Sequence, residues 1–307
     1  MNEKAKKENN NTIEVEAELD LRSLFNIFWD RKYLILGITS LFFIFSIIFS
    51  LQIPNQYKAT TSLAPSENKG GSLTQSVSSQ LGGLAGLAGL RGMETTANEA
   101  ELAIEIMQSW GFVESFIKNN NIEAELLASE GWDEKTNKLI INQEVYDVDN
   151  SAWIEKKPSS WEQFKLFSEI FEVRKNRDSV TILLSLEFYS PLKAKEWLDL
   201  YVVSINNYMR ERKIKRVEKN IDYLQSQLAK TSMTEMKAVF YNLIEEQTKI
   251  LMLAEANVDD YVFMTVSKSM IPEQRSYPFR RLIVIQFTLI GGILSVLIVF
   301  LLRAFKH

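Results

Sequence analysis

The sequence predicts an α+β membrane protein in which two transmembrane helices flank a ferredoxin-like α/β base domain with a long α-helical hairpin. Three observations predict this fold. Two apolar runs without Asp, Glu, Lys or Arg stand near the two ends of the 307-residue chain. The 228 residues between them are enough to bury a core of their own. Apart from the hairpin, the predicted elements there follow the order strand, helix, strand, strand, helix, strand, which is typical of the split βαβ arrangement.

The two apolar runs are Tyr33–Ile53 and Leu282–Leu302. A helix of this length covers about 31 Å, which matches a hydrocarbon core of about 30 Å. The first run follows 32 mostly polar residues and ends without a small-x-small cleavage site, so we expect an uncleaved anchor rather than a signal peptide. Two spans place both termini on one side of the membrane and residues 54–281 on the other.

Basic residues near the first span predict which side is which. Arg22, Arg31 and Lys32 precede the span, whereas only Lys58 follows it closely. Charges around the second span point the other way, but long loops translocate largely regardless of charge, so the first span decides. We therefore expect 1–32 and 303–307 to be cytoplasmic. Apolar residues at helical spacing in Asp20–Trp29 predict a short amphipathic helix on the inner membrane face.

Composition excludes several classes of function. The net charge of −4 argues against nucleic acid as a partner, because a phosphate-binding surface needs an excess of Lys and Arg. The chain contains no cysteine, which removes disulfides and thiolate chemistry. Its one histidine, His307, cannot build a histidine-based triad or a multi-histidine metal site. We expect no cofactor and no metal.

A glycine-rich segment follows the first predicted strand, Tyr57–Ala64. Gly70–Gly92 holds seven of the 12 glycines, including Gly82, Gly83, Gly86 and Gly89. Glycine at this density gives up too much backbone entropy for a stable helix or strand. No Lys-Ser/Thr pair follows the glycines as a nucleotide-binding loop requires. The pattern therefore favours a flexible loop, whose leucines are candidates for contact with membrane or a neighbouring subunit.

The remaining elements complete a base domain formed by 54–190 and 258–281. Capping residues, apolar periodicity and turn residues place them as follows: a helix Glu94–Asn119 broken at Gly111, a helix from Ser159-Ser160 through Glu169, and strands Ile170–Arg174, Ser179–Tyr189 and Asp260–Val266. The last strand should join the sheet that contains Ser179–Tyr189.

A long helical pattern occupies 191–257. Pro191 stands at a favoured helix start, and apolar residues recur by threes and fours as far as Ala254. Ser232-x-x-Glu235 matches a capping box. Because the chain must return to the sheet, we favour a hairpin turning near 230–234, with one unbroken rod as the alternative.

Three segments resemble the Wzz-type chain-length determinants, also called polysaccharide co-polymerases. They are LRSLFNIFWDRKYLIL at the first span, the pair FIKNNNIEAELLASEGWDEKTNKL and FYSPLKAKEWLDLYVVSINN, and YNLIEEQTKILMLAEANVDDYVFMTVSKSMIPEQRSYPFRRL before the second span. The resemblance covers most of the chain between Leu21 and Leu302. It implies a homo-oligomeric ring in the bacterial inner membrane, with the main domain periplasmic. Such a ring sets the length of a lipid-linked surface polysaccharide, such as O-antigen, together with a membrane-embedded polymerase and without covalent chemistry of its own.

The resemblance also draws attention to the connector before the second span, which contains Pro272, Glu273, Pro278 and Arg280. Family members carry several prolines here, and Pro272 and Pro278 occupy two such places. Ser276 and Tyr277 leave the connector poorer in proline than many members, and Ser269 stands where alanine is common. Proline stiffens the backbone and restricts the preceding residue, so the connector is either a strut between ring and span or simply a helix stop.

Small residues mark one face of the second span. Gly291 and Ser295 form a small-xxx-small pair, next to Gly292. They predict a packing contact with a subunit or the polymerase, although small residues are common in membrane helices in general.

Two charged groups invite functional interpretations. Glu245 and Glu246 are adjacent on a helix and point about 100° apart, so they do not form a convergent catalytic pair. A basic stretch of Lys213, Lys215, Arg216 and Lys219 has a solvated face as its default reading. The alternatives that remain are a two-span adaptor or sensor, a polysaccharide export component, and a glycan-processing enzyme. A sensor would need an output module inside, and an enzyme would need two convergent carboxylates.

Overall fold

The computed structural model describes Trp29 and residues 31–66, 96–176, 179–256 and 259–305, and the chain divides into two units. One unit contains the two apolar helices and the other is Pro54–Pro278. The predicted amphipathic helix lies outside the described residues except for Trp29. The glycine-rich segment lies outside them as well, including all four of the glycines singled out above.

In chain order the elements are α1 Lys32–Gln52, β1 Tyr57–Pro65, α2 Thr96–Met107, α3 Trp110–Asn119, α4 Glu123–Ala128, β2 Ser129–Asp133, β3 Lys138–Ile141, β4 Tyr146–Asp147, β5 Ala152–Trp153, α5 Ser160–Ile170, β6 Phe171–Lys175, β7 Ile182–Phe188, α6 Pro191–Lys230, α7 Thr234–Ala256, β8 Phe263–Ser267 and α8 Arg280–Ala304.

The first unit is a pair of packed helices, α1 and α8. Both are long and apolar enough to cross a membrane, over Lys32–Gln52 and Arg280–Leu302. Most of their large side chains point outward, where lipid is the solvent that suits them. The buried positions on the two helices are mostly small and recur every three or four residues: Ser46 and Ser50 on α1, and Gly291, Ser295 and Val299 on α8. Small residues let the two backbones approach closely.

The second unit is built on a four-stranded sheet with the order β6-β7-β1-β8. Every neighbouring pair is antiparallel. It follows that β1 and β6 run parallel with β7 between them, and that β7 and β8 run parallel with β1 between them. Each parallel pair is joined through helices, since parallel strands need a long crossover. The strand β1, which directly follows the first apolar helix, is therefore a central strand.

The core lies between one face of this sheet and the first half of α6. Alternate strand residues and one helical stripe face each other there: Ala59, Leu63, Leu184 and Leu186 from the sheet, and Trp197, Leu198, Tyr201 and Ile205 from α6. Four phenylalanine rings surround Tyr201, with centroids 4.5–5.2 Å from its own: Phe112, Phe116, Phe167 and Phe171. Burying each large apolar side chain contributes about 1.5–3 kcal/mol.

The break in the predicted helix Glu94–Asn119 is displaced from Gly111. The chain leaves helical geometry at Ser109, whose backbone is extended with φ −83° and ψ 144°. Gly111 instead lies in the first turn of α3, with open space where a Cβ would be. The expectation at Gly111 is wrong because glycine costs a helix only about 1 kcal/mol. The Ser109 side chain does not cap α3; its hydroxyl donates instead to the Ile106 carbonyl at 2.7 Å, at the end of α2.

The long helical segment contains two helices that pack on each other, α6 and α7. The first ends at Lys230, and the Thr231 amide donates a hydrogen bond to the Leu228 carbonyl at 3.3 Å. The second begins at Thr234, two residues after the predicted cap at Ser232. Asn220 on α6 donates to Gln247 on α7 at 3.4 Å. The helix start predicted at Ser159-Ser160 is confirmed, and the structure shows a capping box there between Ser159 and Glu162.

Candidate functional site

The candidate site is the connector, residues 268–279, between the last strand and the second apolar helix. The strand β8, which leads into the connector, is held by a buried side-chain amide on α6. Asn206 is 2% exposed, and its Oδ1 accepts hydrogen bonds from the amides of Val262 and Phe263, both at 2.9 Å. Its Nδ2 donates to the Phe263 carbonyl at 3.0 Å. The start of β8 is therefore bound to α6 through a single side chain.

The first attachment of the connector itself is Ser269. This serine is buried, and its hydroxyl donates to Oδ1 of Asp199 on α6. The other oxygen of Asp199 accepts from Lys195 one turn earlier, at 2.6 Å. A hydrogen bond to a carboxylate that is paired with a lysine is stronger than one between neutral groups.

The second attachment is formed by Ser276 and Tyr277 against Gln56. The Ser276 amide donates to the Gln56 carbonyl at 2.8 Å, and the Gln56 amide donates to the Tyr277 carbonyl at 2.9 Å. The Ser276 hydroxyl donates to the same Gln56 carbonyl at 3.0 Å and to Oε1 of Glu187 on β7. The residues that precede the second apolar helix are thus joined by an antiparallel bridge to those that follow the first.

A set of charges on the sheet surrounds this attachment. Glu187 lies directly across from Lys58 in the β1–β7 register, so the two share a face of the sheet. Lys58 Nζ contacts Glu172 at 3.0 Å, and Arg174 Nε contacts the other oxygen of Glu172 at 2.6 Å. Hydrogen bonds from Arg174 and then from Lys58 lower the pKa of Glu172 below its ordinary value. The set pairs two carboxylates, Glu172 and Glu187, with two basic side chains, Lys58 and Arg174, so it balances in sign.

The residues predicted from the sequence occupy the stretch between and beyond the two attachments. Pro272 is partly exposed and Glu273 is exposed, between Ser269 and Ser276. Pro278 is buried directly after the bridge, and Arg280 is the first residue of α8. The attachments themselves were missed as site residues. Ser269 and Ser276 attract notice in the sequence only as departures from the family pattern, and both turn out to make the hydrogen bonds that hold the connector.

Gly291 lies at a close approach of α8 to α1. A Cβ added there would lie 2.5 Å from Cβ of Phe42 and 2.7 Å from its Cγ, too close for any real contact. A Cβ added at Gly292 would have no neighbouring atom within 4 Å. The rings of Phe49 and Phe287 meet nearby, with centroids 5.7 Å apart. The face of small residues at Gly291 is thus covered by Phe42 of the same chain.

Glu245 and Lys213, two of the charged residues considered in the sequence, are held in ion pairs. Glu245 contacts Lys249 one turn later at 2.6 Å and is 64% exposed, and that lysine lowers the pKa of Glu245. Lys213, from the basic stretch, contacts the largely buried Glu99 of α2 at 2.8 Å, and so joins α6 to α2. Among the residues that the structure describes, no three His, Cys, Asp or Glu side chains converge as a metal site would require.

Together, the sheet topology, the long helices and the two terminal helices define an α+β fold with two helices long and apolar enough to cross a membrane. The family model "Chain length determinant protein", Wzz, matches residues 17–120. This match confirms, over that third of the chain, the resemblance to the Wzz-type chain-length determinants that the sequence carries.

Two solved structures are similar to this chain at low sequence identity. A "full-length bacterial polysaccharide co-polymerase" is 13% identical, with 94% of this chain and 98% of that chain covered and a TM-score of 0.46. A fragment of WzzB, the polysaccharide co-polymerase from Salmonella Typhimurium, is 12% identical, with 73% and 100% covered and a TM-score of 0.34. Both scores are low, so the resemblance rests on the family model, which covers residues 17–120. Comparison with curated proteins finds no match.

Proposed function

We propose that this protein is a non-enzymatic regulator of surface polysaccharide chain length, of the O-antigen type. The observation that carries the proposal is the match of residues 17–120 to the chain length determinant family. We place the protein in a bacterial inner membrane, crossing it twice, with both termini cytoplasmic and the domain 54–281 periplasmic. It acts there as a ring of identical subunits, with a membrane-embedded polymerase and its lipid-linked polysaccharide.

The base domain in this proposal is ferredoxin-like. The support is the strand order β6-β7-β1-β8, in which each helical crossover joins two parallel strands across an antiparallel one. The hairpin of α6 and α7 is an insertion into the second crossover. A ring of such subunits would carry the hairpins on the side of the base away from the connector.

The connector in this proposal is a strut between the base and the second span. Its two attachments, at Ser269 and Ser276, leave only six residues between them, and Pro272 stiffens that stretch. Pro278 then continues the stiff backbone to the helix. A displacement of the second span is transmitted to α6 and β7 instead of being absorbed by a flexible linker.

The first experiment is deletion of the gene in its host, with the surface polysaccharide separated on a gel beside a complemented strain. We expect the ladder to lose its modal cluster and become a smooth distribution weighted towards short chains. Complete loss of polysaccharide would favour an export component instead. An unchanged ladder would favour an adaptor or sensor.

Variants of the connector test the strut. Ser269→Ala with Ser276→Ala removes the side-chain hydrogen bonds of both attachments and should shift or broaden the modal cluster at unchanged protein level. The exposed Ser267, at the end of β8, supplies the matched control Ser267→Ala, which should leave the ladder as it is. If the double variant has a wild-type ladder, the connector does not transmit geometry.

A further inference from the structure

The β2–β3 hairpin lies at the end of the sheet from which the first apolar helix departs. The ring of Trp132 meets the ring of Tyr57 edge to face, with centroids 5.6 Å apart. A Cβ placed on Gly131 would be 3.5 Å from Cδ1 of Ile140 and 4.0 Å from Cβ of Pro54. The hairpin is therefore packed against the first residues of the second unit.

Chain connectivity limits how far this hairpin lies from the end of the first span. Pro54 follows Gln52, the last residue of α1, by two positions. Two residues extend at most about 7 Å, so the contact of Gly131 with Pro54 keeps Ile140 on the order of 15 Å from that end. The headgroup region of a bilayer adds roughly 5–8 Å on each side of the hydrocarbon core. The hairpin is thus within reach of the membrane surface.

The side chains at this end suit such a surface. Ile140 is 51% exposed, although a β-branched apolar residue gains by leaving water. Trp132 and Tyr57 are half-buried, and Tyr277, from the bridge to Gln56, is exposed. Tryptophan and tyrosine are enriched at membrane–water interfaces, where an apolar ring with a polar edge suits the headgroup level.

We propose that the β2–β3 hairpin rests in the headgroup layer of the leaflet beside it, with Ile140 inserted towards the acyl chains. Its partner is the phospholipid bilayer itself. The hairpin gives the base a third attachment to the membrane, in addition to its two covalent ones. The inference depends on α1 spanning a membrane and not on the regulation of chain length.

The test uses the full chain in phospholipid vesicles with an environment-sensitive fluorophore on one introduced cysteine. No native cysteine competes for the label. The probe is Ile140→Cys, with Lys138→Cys as a second probe two residues earlier on the same face of β3. Val180→Cys is the aqueous control. Val180 is 80% exposed and precedes Ile182, which pairs with Leu63 at the other end of β1. Phe45→Cys, in the middle of α1, is the lipid control.

Vesicles with lipids brominated near the headgroup should quench the Ile140 and Lys138 probes, while the Val180 probe keeps its intensity. Iodide in the buffer should quench the Val180 probe most. If the hairpin probes behave like Val180, the hairpin stands in water and the inference is wrong. If they are shielded from both quenchers, a protein partner covers the hairpin, which also overturns it. Vesicles with lipids brominated deep in the acyl chains should quench the Phe45 probe, and an unquenched Phe45 probe in them would overturn the membrane assignment together with this inference.

Discussion

Replacing Asn206 by alanine should release the start of β8, and with it the approach to the connector. The side chain makes three hydrogen bonds in a buried setting, to the two amides of Val262 and Phe263 and to the Phe263 carbonyl. A buried hydrogen bond contributes about 1 kcal/mol net, so the variant should lose about 3 kcal/mol. In the variant, the two amides and the carbonyl remain buried without a hydrogen-bond partner, so the loss is not smaller than this value unless water enters and binds them.

The assay is hydrogen–deuterium exchange followed by mass spectrometry on peptides that cover 259–267. A loss of about 3 kcal/mol corresponds to exchange about 10²-fold faster wherever local opening controls it. Asn206→Asp should be intermediate, because a carboxylate still accepts from the two amides but cannot donate to the carbonyl. Asn207→Ala, at the next and less buried position, is the control.

Protection of 259–267 that stays within threefold of wild type in Asn206→Ala would refute this reasoning. It would mean that pairing of β8 with β1 holds the strand without the amide. Faster exchange throughout the domain, by contrast, would mean that Asn206 supports the whole core rather than the strand alone.

Three further predictions concern packing, ionisation and capping. Gly291→Ala should push α8 away from Phe42 and reduce cross-linking between cysteines introduced into α1 and α8, while Gly292→Ala, in open space, should not; equal cross-linking would contradict the close approach. Burial raises the pKa of the Tyr201 phenol well above its ordinary value of 10.0, so folding disfavours the phenolate. Stability should therefore be complete below about pH 10 and fall as the pH rises beyond it, and Tyr201→Phe should flatten that fall in alkaline urea titrations. Ser159→Ala removes a capping box and should cost about 1 kcal/mol in urea unfolding; an unchanged midpoint would show that the cap adds nothing.

Local physical chemistry explains which elements could be predicted from the sequence. The apolar helices follow from charge-free runs of membrane length, and α5 follows from the Ser159 capping box, because both patterns act within a few residues. Pro191 marks the start of α6 for the same reason. The break lies at Ser109 and not at the more conspicuous Gly111, because one glycine does not end a helix, whereas the hydroxyl and amide of Ser109 both donate back to the Ile106 carbonyl.

The attachments of the connector depend on contacts between residues distant in sequence, and no local pattern specifies those. Ser269 pairs with a residue 70 positions earlier, and Ser276 with one 89 positions earlier. Serine is accepted in almost any local structure, so its identity does not reveal its partner. Asn206 does leave a trace, because a lone amide stands beside Val202, Ile205 and Met209, on a helical face that is otherwise apolar. A polar residue on a buried face requires a hydrogen-bond partner.

The central position of β1 also has a mechanical consequence. The first apolar helix leads into this strand after only four residues, and hydrogen-bond ladders hold the strand on both sides. A pull along the strand loads these ladders in shear, so many hydrogen bonds must fail together rather than one after another. The second helix is joined instead through an edge strand and a segment attached at two points. Both junctions transmit force to the sheet, and the first, with a ladder on each side, is the stiffer of the two.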